Sequence, residues 1–172
     1  MQTIGIDWAA RYSAAVLMDE YKSIQAQWVV DLGGAEKPPR LRKHIPAVRA
    51  FVAEMSEDIA RNGWAKEDIH VVVENVSHFM MNPAPVLRLQ GVLEDELDLM
   101  GFRTPTLVLP NVWQSYFQFQ KSTKAVKAPS TKMQAKAMCE GFGYKFDIKG
   151  KAKVDLHDAA LIARWAQETE GN

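Results

Sequence analysis

The apolar positions change period several times along the chain, and each change marks an element. Thr3–Asp7 (TIGID) alternates weakly and ends on an acid, and Ser13–Met18 (SAAVLM) and Gln25–Val30 (QAQWVV) follow at hairpin spacing, which predicts three strands in a meander. Asp31–Arg40 contains Gly33, Gly34, Pro38 and Pro39, a composition that breaks helix and strand alike. From Pro46 onward Val48, Phe51, Val52, Met55 and Ile59 recur at helical spacing, with Gly63 just past the end, predicting an amphipathic helix that starts on its proline. Ile69–Glu74 (IHVVVE) is short and β-branched, as in a strand covered on both faces. It too ends on an acid.

A second helical stripe, Leu89, Val92, Leu93, Leu97 and Met100, runs from near Pro85 to Gly101, and Thr106–Leu109 (TLVL) reads as a fifth strand. The aromatic stretch Trp113 to Phe119 reads as core packing. Ser130 then caps a helix carrying Met133, Ala137 and Met138, and Asp155 opens a last helix whose Leu156, Ala159, Ala160 and Ala163 form a small-residue face for close packing. The order β-β-β-α-β-α-β-α-α-α predicts an α/β domain, a mixed sheet covered by helices.

The 172 residues suit a single domain, 1–172. With 47% apolar and 24% charged residues, disordered and collagen-like classes are excluded. Cys139 is the single cysteine, so neither a disulfide framework nor a Cys/His zinc site is available. No apolar run reaches the roughly 18 residues of a membrane span, and Asp7 interrupts what would be a signal peptide's apolar region. A soluble, cytoplasmic protein with no membrane partner is expected.

Lysine plus arginine total 21 and aspartate plus glutamate total 21, with a pI near 6.9. A zero sum counts against a nucleic-acid partner, but it conceals an uneven distribution. Lys121–Lys136 holds five lysines (Lys121, Lys124, Lys127, Lys132, Lys136) and no acid, a second basic run holds Lys37, Arg40, Arg42, Lys43 and Arg49, and acids gather at Glu94, Asp95, Glu96 and Asp98. Alone, a lysine cluster is ordinarily a solvated face. Beside a carboxylate crevice it becomes a phosphate track.

Such a crevice is implied by four acids. Asp7 and Glu74 stand at the C-terminal ends of predicted strands, where open α/β sheets form their ligand sites, and parallel neighbours about 4.8 Å apart would bring both into one place. Asp155 and Asp158, three apart, share a helical face. Taken singly each has a plain explanation: strand terminators for the first two, an N-cap and a dipole-compensating N3 acid for the second pair. Together they form a hard-oxygen set suited to magnesium or manganese rather than zinc or copper. Two such ions about 4 Å apart are a known solution for phosphodiester hydrolysis, one activating water and the other stabilising the leaving 3′ oxygen. His157 lies between Asp155 and Asp158 but would point about 100° from either neighbour, as a bystander. His78, after Glu74, is the better histidine for contacting DNA or water, against a plain loop role.

At these residues the chain resembles the RuvC-type Holliday junction resolvases of the ribonuclease H-like superfamily. The matching pieces are IGID (Ile4–Asp7), VVVEN (Val71–Asn75), LRLQGVLEDEL (Leu87–Leu97), STKMQAKAM (Ser130–Met138) and DLHDAALIARWA (Asp155–Ala166). The likeness spans almost the whole length with gaps, and its specificity lies in the order and spacing of short motifs. It implies a ribonuclease H-like five-stranded mixed sheet, with a three-strand antiparallel meander plus two parallel strands, flanked by helices. It also implies that Asp7, Glu74, Asp155 and Asp158 are catalytic acids holding two Mg2+ (or Mn2+) ions, that Lys132 lies at the DNA, and that the helix around Leu87–Met100 forms a homodimer presented to a four-way junction or other branched DNA. The apolar stripe of that helix is equally consistent with ordinary core.

The sequence departs from the family at several points. Asp7 is followed by Trp8, Ala9 and Ala10 instead of a glycine-containing turn, and the family's aromatic wedge position is Ser77 here, which makes Phe79 the expected stacking residue. Trp113 stands where the family has another DNA-contacting lysine, so Lys121 or Lys124 is expected to supply that charge. Three other readings stand beside the endonuclease: a binding protein of the same fold that does not cut, a transposase-type nuclease, and a phosphotransferase of the actin and sugar-kinase fold. The last requires glycine-rich phosphate loops, which Asp7-Trp8-Ala9-Ala10 does not provide.

Overall fold

Five strands form one mixed sheet in the order β3-β2-β1-β4-β5. The computed structural model describes residues 1–9, 11–32, 41–75, 84–123, 127–148 and 152–170. β1 (Gln2–Asp7), β2 (Tyr12–Met18) and β3 (Ile24–Asp31) make the antiparallel meander. β4 (Ile69–Glu74) returns parallel to β1, and the three-residue β5 (Thr106–Val108) lies parallel to β4. The helices are α1 (Leu41–Arg61), α2 (Ala84–Leu99), α3 (Pro110–Tyr116), α4 (Thr131–Gly141) and α5 (Ala152–Glu170), with a 3-10 turn at Lys66–Asp68 before β4.

The period-2 alternation of the strands divides the core into two layers. Ile4, Ile6, Leu17, Trp28, Val71 and Val73 pack with Phe51, Met55, Leu89, Leu93 and Leu97 of α1 and α2. Ala14, Val16, Met18, Val72 and Val108 pack on the opposite face with Trp113, Cys139 and the alanine-rich side of α5. The centre of β4 is thus covered on both faces, which accounts for its continuous Val71–Val73 run.

Gly5 sets the distance between β1 and α5. A Cβ there would lie 2.2 Å from the Ala159 carbonyl oxygen and 2.4 Å from the Ala163 nitrogen, both backbone atoms. Only glycine permits this approach, and the small face of α5, with Ala159, Ala160 and Ala163 fully buried, is its complement.

The structure corrects the sequence expectations at four points. α1 begins at Leu41, so Pro46 lies inside the helix instead of starting it; there its missing N–H removes one bond of the ladder, while the Val48–Ile59 face remains buried. α5 begins at Ala152, which places Asp155 within the first turn and not at the cap. The stripe of α2 packs in this chain's own core: Leu89, Leu93 and Leu97 are buried and Val92 packs against them. Finally, the second basic run and the acidic group are not wholly separate, because Arg49 of α1 pairs with Glu96 of α2 at 2.6 Å. Lys37 and Arg40 lie outside the described residues.

Candidate active site

The parallel register of β1 and β4 sets Ile6 opposite Val73, so the next residues, Asp7 and Glu74, emerge at the same sheet edge. α5 crosses β1 at Gly5 and brings its first turns to that edge. Asp158 immediately precedes the contact residue Ala159, and Asp155 lies three residues before Asp158. Hydrophobic pairing and one glycine thereby gather three segments whose acids, from Asp7 to Asp158, are up to 151 residues apart in the chain.

α4 delivers the opposing charge. Ser130 caps it, its Oγ accepting from the Met133 N–H at 3.3 Å with extended backbone (φ −61°, ψ 153°). The second residue of the helix, Lys132, donates to Asp7 Oδ2 at 3.0 Å, to Asp155 Oδ1 at 2.9 Å and to Asp158 Oδ2. All three ammonium protons are engaged by carboxylates. Glu74 stands beside this cluster with a different partner: the indole N–H of Trp113 donates to its Oε2 at 2.8 Å.

Electrostatics follow from that crowding. Burial, then the neighbouring Asp158 and Glu74, hold the Asp7 carboxyl well above the usual carboxylate range despite the pull of Lys132. Burial pushes Glu74 up to about 7, with Asp158 adding to the shift and the Trp113 bond and Lys132 opposing it. Asp158 is raised by burial and by Asp155, against the pull of Lys132. On Lys132 burial favours the neutral amine, but Asp7 and Asp158 outweigh it and raise its pKa. One ammonium therefore leaves the acids undercompensated.

The donor set fits a hard divalent cation: carboxylate oxygens converge on one point, and Asp158 Oδ1 is buried without a hydrogen-bond partner among the described residues. Its present spacing is that of an ammonium. Oxygens 2.9–3.0 Å from the cation lie roughly 1 Å beyond the ~2.1 Å that magnesium requires, and among the described residues no group of three or more His, Cys, Asp or Glu side chains is already arranged to hold a metal ion.

Of the residues singled out from sequence, Asp7, Asp155, Asp158 and Lys132 meet directly and Glu74 stands alongside. Lys121 and Lys127 are exposed in the segment before α4, which Gln134 laces to that helix through Gln120 and the Pro129 carbonyl. His78, Phe79 and Lys124 lie outside the described residues. His157 is buried on another side of α5, edge-on to Phe146 at 4.9 Å between centroids, as its 100° offset implies. The contact that sequence reasoning missed is Trp113 on Glu74. An aromatic in an apolar stretch signals core, which Trp113 is, and nothing local reveals where its N–H points.

Among the described residues no helix is long and apolar enough to cross a membrane. No family model matches the sequence, and no curated protein is significantly similar to it. Solved structures are similar in fold. RuvC of Thermus thermophilus in complex with a Holliday junction substrate superposes with TM-score 0.64 at 17% identity, covering 98% of this chain and 95% of that one. A Thermus thermophilus RuvC structure gives the same score and identity over 99% and 97%. The five-stranded mixed sheet and its helices therefore have the ribonuclease H-like fold of RuvC.

Proposed function

We propose that this protein is a metal-dependent, structure-selective endonuclease that resolves Holliday junctions and related branched DNA. The observation that carries the reading is the gathering of Asp7, Asp155 and Asp158 around one cation, with Glu74 beside them, at the strand-end edge of a RuvC-like sheet. Asp7, Glu74, Asp155 and Asp158 would hold Mg2+ or Mn2+, which when bound supplies an activated water and charge stabilisation for phosphodiester hydrolysis. The chain's own residues supply the rest. Buried carboxylates fix the attack geometry, Trp113 orients Glu74, and Lys121 and Lys124 before α4 attract the phosphate backbone. Products would carry 5′ phosphate and 3′ hydroxyl. A homodimer would place two such sites on two strands of a junction, through surfaces other than the buried stripe of α2.

A labelled four-way junction, incubated with and without Mg2+, tests this. Wild type should cleave only with the ion, and Asp7→Asn and Glu74→Gln should bind the junction without cutting it. Retained cleavage in either variant would remove these acids from the site. One observation favours a second reading, a branched-DNA-binding protein that does not cut: Lys132 stands at the centre of the carboxylates and their spacing suits it. Tight junction binding with no cleavage in Mg2+ or Mn2+ would establish that alternative.

A further inference from the structure

The acids around Lys132 carry more negative charge than one ammonium neutralises. Asp7, Asp155 and Asp158 all contact it, and Glu74 adds a fourth carboxylate nearby. Three of the six contacting-carboxylate oxygens face Lys132, and Asp158 Oδ1 is buried with no hydrogen-bond partner among the described residues. A divalent ion brings twice the charge, takes six or more oxygens, and draws its ligands about 1 Å closer than an ammonium does. It cannot share the point that Nζ occupies.

Lys132 is placed to leave. Its side chain is 41% exposed while Asp7 and Asp158 are 5% and 8% exposed, so the acids are fixed in the core and the lysine reaches them from the surface. Its flexible four-carbon stem springs from the first turn of α4. The aspartates, by contrast, are carried on β1 and α5, which meet at Gly5 with no slack.

We propose that Lys132 is an exchangeable internal counter-ion: in the metal-free protein its ammonium occupies the cation position among Asp7, Asp155 and Asp158, and a divalent ion binds by displacing it toward solvent. This rests on reading the four acids as a metal site, and it makes metal affinity a competition set by the chain itself. An apparent dissociation constant is weakened by the fraction of molecules in the competent state.

Two measurements test it, neither depending on cleavage. In calorimetric titration of the DNA-free protein with Mn2+, Lys132→Met should bind at least about tenfold more tightly than wild type, as expected if the lysine-out state is a tenth or less of the population. Equal or weaker binding by the folded variant would overturn the proposal. On wild type, where no folding question arises, acylation with an amine-reactive ester read by mass spectrometry should find Lys132 protected in chelator and labelled in Mg2+, with exposed Lys136 as the constant reference. Equal labelling of Lys132 in both conditions would also overturn it. If neither wild type nor Lys132→Met binds Mn2+, the metal reading of the acids falls and the exchange with it. If exchange is seen but no junction is cut, the exchange stands and the nuclease reading alone fails.

Discussion

Gly5→Ala probes the link between packing and site most directly. The added Cβ would lie 2.2 Å from the Ala159 oxygen and 2.4 Å from the Ala163 nitrogen. Neither is the tip of a flexible side chain, so relief requires α5 to move off β1 by about 1 Å to reach an ordinary contact distance. Overpacking of this kind costs about 1–3 kcal/mol, and the upper end applies because both clashing atoms are backbone. For a domain of this size about 3 kcal/mol lowers Tm by roughly 6–12 °C. The same movement carries Asp155 and Asp158 away from Asp7, and a misplacement of about 1 Å can cost about a hundredfold in rate. Urea unfolding followed by circular dichroism reads the first effect, and Mg2+-dependent junction cleavage under fully folded conditions reads the second. A Gly5→Ala protein with wild-type urea midpoint would refute the packing argument. One that is destabilised yet cleaves at the wild-type rate would refute the claim that this contact sets the carboxylate geometry.

Two further outcomes follow from the site. Trp113→Phe keeps most of the buried ring but removes the donor to Glu74; metal affinity or cleavage should fall about 10–100-fold with the fold intact, and a Mn2+ titration matching wild type would show that the bond does not position Glu74. In chelator, stability should fall as pH rises from about 4.5 to 7. The folded state holds Glu74's proton to about pH 7 against an ordinary glutamate value of 4.5, so this contribution is fully present below 4.5 and lost as pH passes 7. It amounts to about 3 kcal/mol by linkage. Asp7 and Asp158, also raised, act in the same direction, and saturating Mg2+ should suppress the trend. Urea midpoints that are flat or rising over this range without metal would contradict the burial argument.

All five strands and the element order are legible in the sequence, because alternation, β-branching and glycine–proline breaks are local signals. The pairing of Asp7 with Glu74 is legible too, since each ends an apolar strand and parallel strands align their C-terminal ends. Helix starts are less so. Pro46 signals a beginning but is tolerated inside α1, and Asp155 has the chemistry of a cap but sits within the first turn. The α2 stripe has the same period whether it faces a partner or its own core, and only the packing against α1 and the sheet decides for the core.

The sequence by itself determined the four acids, their types and their places at strand ends and on one helical face, because those depend on spacing along the chain. It also determined that a lysine-rich stretch precedes the helix carrying Lys132. Only the tertiary structure decided that Lys132 enters the carboxylates as their cation, that Trp113 holds Glu74, and that Gly5 fixes how closely the acids assemble. Each joins segments at least 23 residues apart in the chain, a meeting set by how the strands and helices pack, which no local pattern encodes.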